Sequence, residues 1–293
     1  MKKYLLITIC LLVGLSGKTQ DMLSLLSDST AKMKEPVTAI FKTTKVINLQ
    51  SVENTAAGVF DFKLGHRFGF LNTGLKELFG LDQATMRLGG EFGLTNDLMV
   101  GIGRSTYEKT LDSYFKWRII RQSTGSHSSP VTVSAFGSIA LKTIRTNPER
   151  KNYIVDNLFY TGQLIIGAKI NDGLSLQVSP TVVHRNLTLN SAEKNDVFAV
   201  GAGGRIKLTR HTSFNVEYIY ILPDQISTEF KNSLSLGFDI ETGGHVFQIH
   251  ATNSTSMIEK GFISETVGDW ADGGIHFGFN ISRVFTLWRP KKK

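Results

Sequence analysis

The segment GIHFGFNIS at 274–282 sends Ile275, Phe277, Phe279 and Ile281 to one face and His276, Gly278, Asn280 and Ser282 to the other, because successive side chains of a strand leave opposite sides. The same period recurs in twelve segments, near 58–69, 86–95, 98–107, 110–122, 131–143, 158–171, 174–187, 195–208, 212–222, 232–241, 245–254 and 273–285. Ten to fourteen residues is longer than the usual globular strand of about five or six and fits a tilted strand crossing a bilayer with some overhang. The links alternate in length. Tight turns at Asn96-Asp97, Asn171-Asp172-Gly173, Arg210-His211 and Gly243-Gly244 alternate with longer connections at 70–85, 144–157, 188–194, 223–231 and 255–272. Two links break the rule: Glu108-Lys109 is short and 123–130 is long. Asn, Asp and Gly accept the positive φ of hairpin turns, and short turns at one end with long loops at the other is the asymmetry of a membrane barrel. The expected fold is therefore all-β, an antiparallel up-and-down transmembrane β-barrel of about twelve strands. An even strand number returns both ends of the barrel to the periplasmic side. A soluble all-β sandwich is the competing architecture.

Lys2 and Lys3 precede an apolar run from Tyr4 to Leu15, followed by Ser16 and Gly17. These are the parts of a secretory signal peptide, and the run is shorter than the roughly 20 residues a membrane helix needs. The expected organisation is a signal peptide over 1–20, a periplasmic segment over 21–57, a barrel over 58–285 and a basic tail over 286–293. Residues 39–48, AIFKTTKVIN, read as a lead strand or an extended periplasmic segment outside the strand count. Cys10 is the single cysteine and lies in the apolar run, so no disulfide or cysteine metal site is expected beyond it. The expected location is a bacterial outer membrane.

The formal charge is +8 with Gly at 28 and Pro at 6. Abundant Gly and scarce Pro suit long strands with tight turns. No basic patch with interleaved aromatics appears, which argues against nucleic acid as a partner. The phase of each strand places the charges inward, since Arg or Lys on the lipid face near mid-bilayer costs about 2–4 kcal/mol. The lumen-lining candidates are Arg67, Arg87, Glu91, Lys116, Arg118, Arg205, Glu217 and Asp239, joined by Asp61, Lys63, Lys142, Lys169, Arg185 and Lys207. Such a lumen is polar and mixed in charge, with a basic excess. It either passes or binds small polar or anionic solutes, or its charges pair across the barrel and close it. Tyr107, Tyr114, Trp117, Tyr160, Tyr218, Tyr220 and Phe285 are candidates for aromatic girdles at the interfaces.

Several stretches carry a family likeness: FKTTKVIN (41–48), GVFDFKLGHRFG (58–69), LFGLDQATMRLG (78–89), LMVGIGRSTYEKT (98–110) and FGFNISRVF (277–285). They resemble the domain-of-unknown-function 5777 family of β-barrel proteins, typical of Bacteroidetes. The resemblance implies an exported outer-membrane barrel and implies no reaction. Such barrels often end on an aromatic residue; Phe285 fits that role, but residues 286–293 extend past it.

Catalytic and metal sites are not expected. His66 and His184 fall on the outward phase, as a lipid hydrolase would need, yet no nucleophile motif follows a histidine and GRSTY at 103–107 offers only Ser105. His250 and His276 share the inward phase on neighbouring strands without a third ligand. GAGG at 201–204 lies inside a strand with no helix after it, so close packing explains it better than a phosphate loop does. The expected function is passage or binding of small polar or anionic solutes, with outer-membrane lipid as the surrounding partner and no cofactor. The alternative is a closed, non-transporting barrel that serves as a scaffold or docking protein. In that case the loop 255–272, with Phe262, Asp269 and Trp270, is the contact surface.

Overall fold

A computed structural model describes residues 34–289, except 145–150, 152, 189, 191 and 192. The proposed signal peptide lies outside the described residues. Twelve strands follow one another: β1 (Val59–Phe70), β2 (Ala84–Gly93), β3 (Leu98–Ser105), β4 (Thr110–Ile120), β5 (Thr132–Lys142), β6 (Leu158–Lys169), β7 (Leu174–Arg185), β8 (Asp196–Lys207), β9 (Thr212–Ile221), β10 (Ser233–Thr242), β11 (His245–Thr252) and β12 (His276–Thr286). Each pairs antiparallel with its neighbours in sequence, and β12 closes on β1 from Thr286 opposite Val59 to His276 opposite Phe70. Closure leaves no unpaired edge, which a membrane span of strands requires. The result is the antiparallel barrel expected from the alternation.

The outward phase is apolar. Phe115, Trp117, Ile119, Leu164, Val178, Phe238, Ile249 and Phe277 are exposed on the barrel wall, as lipid-facing side chains are. Trp117, Tyr160, Tyr218, Tyr220 and Phe285 are likewise exposed. Tyr114, placed among the girdle aromatics by sequence, instead points inward and donates its hydroxyl to Glu91 Oε1 at 2.8 Å.

The exceptional links have structural causes. The long link after β4 is longer because Ser123 and Thr124 pair with Pro36 and Glu35 of the incoming chain. The short turn at 106–109 sets Glu108 at the long-loop mouth of the barrel, within reach of Lys142 and Lys260.

The largest departure from the sequence reading is at 39–57. This stretch is neither a lead strand nor a segment outside the barrel. It enters the lumen from the short-turn end and folds back as a hairpin, with Lys45 opposite Gln50, Val46 N–H on Leu49 O at 2.8 Å and Ser51 N–H on Thr44 O at 2.8 Å. Residues 44 and 46–52 are buried. From the other end the β11–β12 loop turns inward and forms a short helix, α1 (Glu259–Ser264), whose residues are all buried. Gln50 Nε2 donates to Glu259 Oε1 at 2.9 Å, so the two inserts touch inside the barrel. The loop that sequence offered as a contact surface is therefore mostly unavailable. Phe262 is 0% exposed and Trp270 Nε1 is bonded to Leu234 O at 3.1 Å.

The lumen is also less uniformly polar than the charges suggested. Met99, Phe136, Ile165, Val183, Val197, Ile219 and Ile221 point inward and form one apolar cluster with Ile40, Phe41, Val46, Leu49 and Val52 of the hairpin and Phe262 and Ile263 of α1.

Candidate functional site

A hairpin taken out of water must find partners for its backbone N–H and C=O groups. Here the barrel wall supplies them, through the charged residues that the strand phases turn inward. Glu217, on β9, meets the tip. Its carboxylate accepts the amide N–H of Ile47 at 3.0 Å, of Asn48 at 2.9 and 3.0 Å, and of Leu49 at 3.0 Å. Lys116, on β4, clamps both legs: its ammonium donates to Thr44 O at 2.9 Å and Ser51 O at 3.0 Å. Arg205, on β8, donates to Ala39 O and Ile40 O, both at 3.2 Å. Gln177 and Gln248 each donate to a hairpin carbonyl, Gln50 O and Val46 O, at 2.6 Å. Lys116 and Arg205 meet neutral oxygens, so their bonds to the hairpin are charge-assisted.

Arg67, on β1, joins the inserts. Its guanidinium donates to Asn48 Oδ1 on the hairpin and to Ser256 O at 2.9 Å and Ser254 O at 3.3 Å on the loop, with Nε on His250 Nε2 at 3.2 Å. Arg87, on β2, forms a two-point pair with Asp112 of β4. Glu91 accepts from Thr44 Oγ1 at 2.5 Å and lies 3.6 Å from Lys63. Arg118 lies at the short-turn end, 3.9 Å from Glu53 of the hairpin leg and 3.8 Å from Asp97. Asp239 accepts from Gln248 Nε2 at 2.6 Å. All eight lumen-lining candidates are thus buried. Arg67, Glu91, Lys116, Arg118, Arg205 and Glu217 touch the hairpin, whereas Arg87 and Asp239 pair within the wall.

The wall is shaped for the hairpin as well as charged for it. A Cβ on Gly201 would lie 3.0 Å from both Leu49 methyls, and one on Gly203 would lie 3.2 Å from Val46 Cγ2. The GAGG stretch in β8 therefore clears space for two hairpin side chains. Sequence reasoning missed the hairpin as part of the site. Available signals were these inward glycines and the doubled apolar pairs Ile165-Ile166 and Val182-Val183, which break the polar-in pattern.

At the mouth with the long loops, Lys260 of α1 pairs with Glu108 and, at 2.7 Å, with Glu265. Its ammonium also lies 4.4 Å from the Phe159 ring centroid. Lys142 reaches Glu108 at 2.5 Å. Burial works against ionisation of Glu108, but Lys260 and Lys142 together hold its pKa below the usual carboxylate value. Burial likewise opposes the charge on Lys260, and Glu265 and Glu108 raise its pKa above that of a free lysine.

A vestibule of about 460 Å³ opens at the short-turn end between the hairpin, β10–β12 and the start of β1. Among the described residues no group of three or more His, Cys, Asp or Glu is arranged to hold a metal. His184 pairs with Asp196 at 2.7 Å on the outer wall, and His66 stacks on Phe279 at 4.8 Å. No described hydroxyl bonds either ring.

Similar solved structures are barrels of low likeness. They include a NanC porin at 10% identity and TM-score 0.48, covering 78% of this chain and 98% of that one. A KdgM porin in complex with disordered oligogalacturonate matches at 9% identity and TM-score 0.47, covering 78% and 99%. LpxR from Salmonella typhimurium matches at 10% identity and TM-score 0.36, covering 77% and 100%. Likeness at this level carries no inference about solutes or chemistry. No curated protein matches the sequence. The family model of a membrane-bound beta barrel domain, DUF5777, matches residues 41–285, from the first leg of the hairpin to the end of β12, and the chain belongs to that family.

Proposed function

We propose that this protein is an outer-membrane barrel closed at rest by its own N-terminal hairpin, and that small polar or anionic solutes pass when the hairpin withdraws. The observation that carries the reading is the seating of the hairpin by Glu217, Lys116, Arg67 and Arg205. It is held by side-chain bonds to the wall, not as a strand of the sheet.

Barrel width supports a passage behind it. About eight strands leave an interior that side chains alone fill, and sixteen or more leave an aqueous channel; twelve strands are wide enough to need an insert. Apolar burial of the hairpin and the entropy of ordering it are large opposing terms, so the polar anchors tip the balance between seated and withdrawn. Once the hairpin leaves, Lys116 and Arg205 lose their hairpin carbonyls and face the lumen, and Arg67 loses Asn48 Oδ1 while keeping Ser254 O and Ser256 O; freed cations on the wall favour anions. The end with both barrel termini is then periplasmic and the long loops external.

A permanently sealed barrel with a scaffold or docking role is the second reading, favoured by the apolar cluster between Val46, Leu49, Val197 and Ile219. Single-channel recording in planar bilayers separates the two. The unmodified protein is expected to be silent with rare openings. Glu217→Gln, which weakens the hairpin tip, is expected to open in discrete steps that prefer anions in a salt gradient. Silence of both proteins, each verified as folded and inserted, would leave the sealed barrel.

A further inference from the structure

Between the hairpin and the wall lies a cavity of about 50 Å³ whose lining includes Lys45, Lys63, Arg67 and Arg87 and no carboxylate-bearing residue. The acids that balance these cations approach from outside its lining. Asp61 meets Lys63 at 2.7 Å, Asp112 takes Arg87, and Glu259 Oε1 lies 3.9 Å from Lys45. Arg67 has no carboxylate at hydrogen-bond distance.

Two donors remain unused. The Lys45 ammonium makes no hydrogen bond to a described residue, and its ion-pair contact is longer than a hydrogen bond. Arg87 is 5% exposed and commits Nε and Nη2 to Asp112; its Nη1 bonds no described residue. A guanidinium and an ammonium both offer several N–H donors and accept none, and both residues line the chamber. The complementary occupant is an acceptor with negative charge. The volume fits one small ion: a water needs about 10–15 Å³ of such space, so a halide or a nitrate-sized anion fits and a sugar does not.

We propose that this chamber is a binding site for one small monovalent anion, held by Lys45 Nζ from the hairpin and Arg87 Nη1 from β2. Because its two sides belong to different parts of the molecule, the anion bridges the hairpin to the wall and stabilises the seated state. The site stands on its own geometry; its effect on opening rests on the proposed function above.

The test is thermal unfolding of the full-length folded protein in detergent, read at a fixed heating rate, in sodium bromide against sodium gluconate at equal ionic strength. Bromide is expected to raise the apparent midpoint saturably by about 2–4 °C, and gluconate, too large for the chamber, to give no saturable rise. Lys45→Met is expected to lose the bromide effect and Lys45→Arg to retain at least half of it. An anomalous bromide peak in the chamber, in crystals grown with bromide, is the second readout, and it does not depend on how the variants fold. Matching midpoints in the two salts together with no peak would overturn the site. A peak in a protein that never conducts keeps the site and removes the gating reading. Openings in Glu217→Gln with neither peak nor bromide effect do the reverse.

Discussion

Replacing Glu217 by Gln keeps the size of the side chain and removes its charge where three backbone amides converge. In the present structure Oε2 receives Ile47, Asn48 and Leu49, each at 3.0 Å, and Oε1 receives Asn48 at 2.9 Å. A glutamine offers one oxygen, and its amino group opposes the remaining donor. Hydrogen bonds to a charged group are worth about 1.5–3 kcal/mol and neutral ones about 0.5–1.5. Three bonds weakened by about 1 kcal/mol each amount to about 3 kcal/mol, or roughly a hundredfold in the population of withdrawn hairpin at 1.4 kcal/mol per tenfold. The assay is maleimide labelling of Leu49→Cys in a Cys10→Ser background, which leaves this introduced thiol as the only one. Leu49 is fully buried in the seated hairpin, so with fast reclosure the labelling rate follows the withdrawn population. A rise of less than about threefold in correctly folded Glu217→Gln, against the hundredfold expected from its lost bonds, refutes the role of Glu217 as the anchor of the tip.

Other perturbations probe the mouth and the wall. The latch of Lys260 on Glu108 joins a depressed carboxylate to a raised lysine. The stabilisation from Glu108 is present above the unfolded carboxylate value, about 4.3, and fades as pH falls through its lower folded value. That from Lys260 is present below about 10.4 and fades as pH rises through its higher folded value. Protease cleavage within 255–268 is therefore expected to stay flat from about pH 5 to 10 and to rise outside that window; Lys260→Met should raise it at neutral pH. Phe115, exposed midway along β4, faces lipid, so Phe115→Arg should cost about 2–4 kcal/mol in refolding into bilayers, measured by urea titration. A cost near zero would mean that this face does not contact hydrocarbon.

The strands were legible because each obeys a local rule: in β12, Phe277, Phe279 and Ile281 alternate against Gly278, Asn280 and Ser282. Inward charges were legible for the same reason, since a wrong phase would set Arg87 or Lys116 in lipid. What those charges do was not legible. Glu217 binds an amide 169 residues away, and hairpin 44–51 has no periodic signal of its own because its partners come from the wall, not from a sheet. FKTTKVIN reads locally as a strand or an extended segment, and nothing in it marks the barrel wall as its partner. The two links that broke the length rule, Glu108-Lys109 and 123–130, were the visible trace of the inserts, one latching α1 and the other pairing with the chain on its way in.

The central claim, that the hairpin is the gate, is tested by tethering it. A Cβ on Gly203 would sit 3.2 Å from Val46 Cγ2 and 3.5 Å from Cγ1, which places the two β-carbons in the range of about 3.5–4.5 Å that a disulfide spans. Val46→Cys with Gly203→Cys, in the Glu217→Gln and Cys10→Ser background, therefore gives a reversible lock. In a planar bilayer the oxidised protein should be silent, reductant should start stepwise anion-preferring openings, and reoxidation should stop them. Equal conductance in the oxidised and reduced states, with the disulfide verified by mass, would contradict the account.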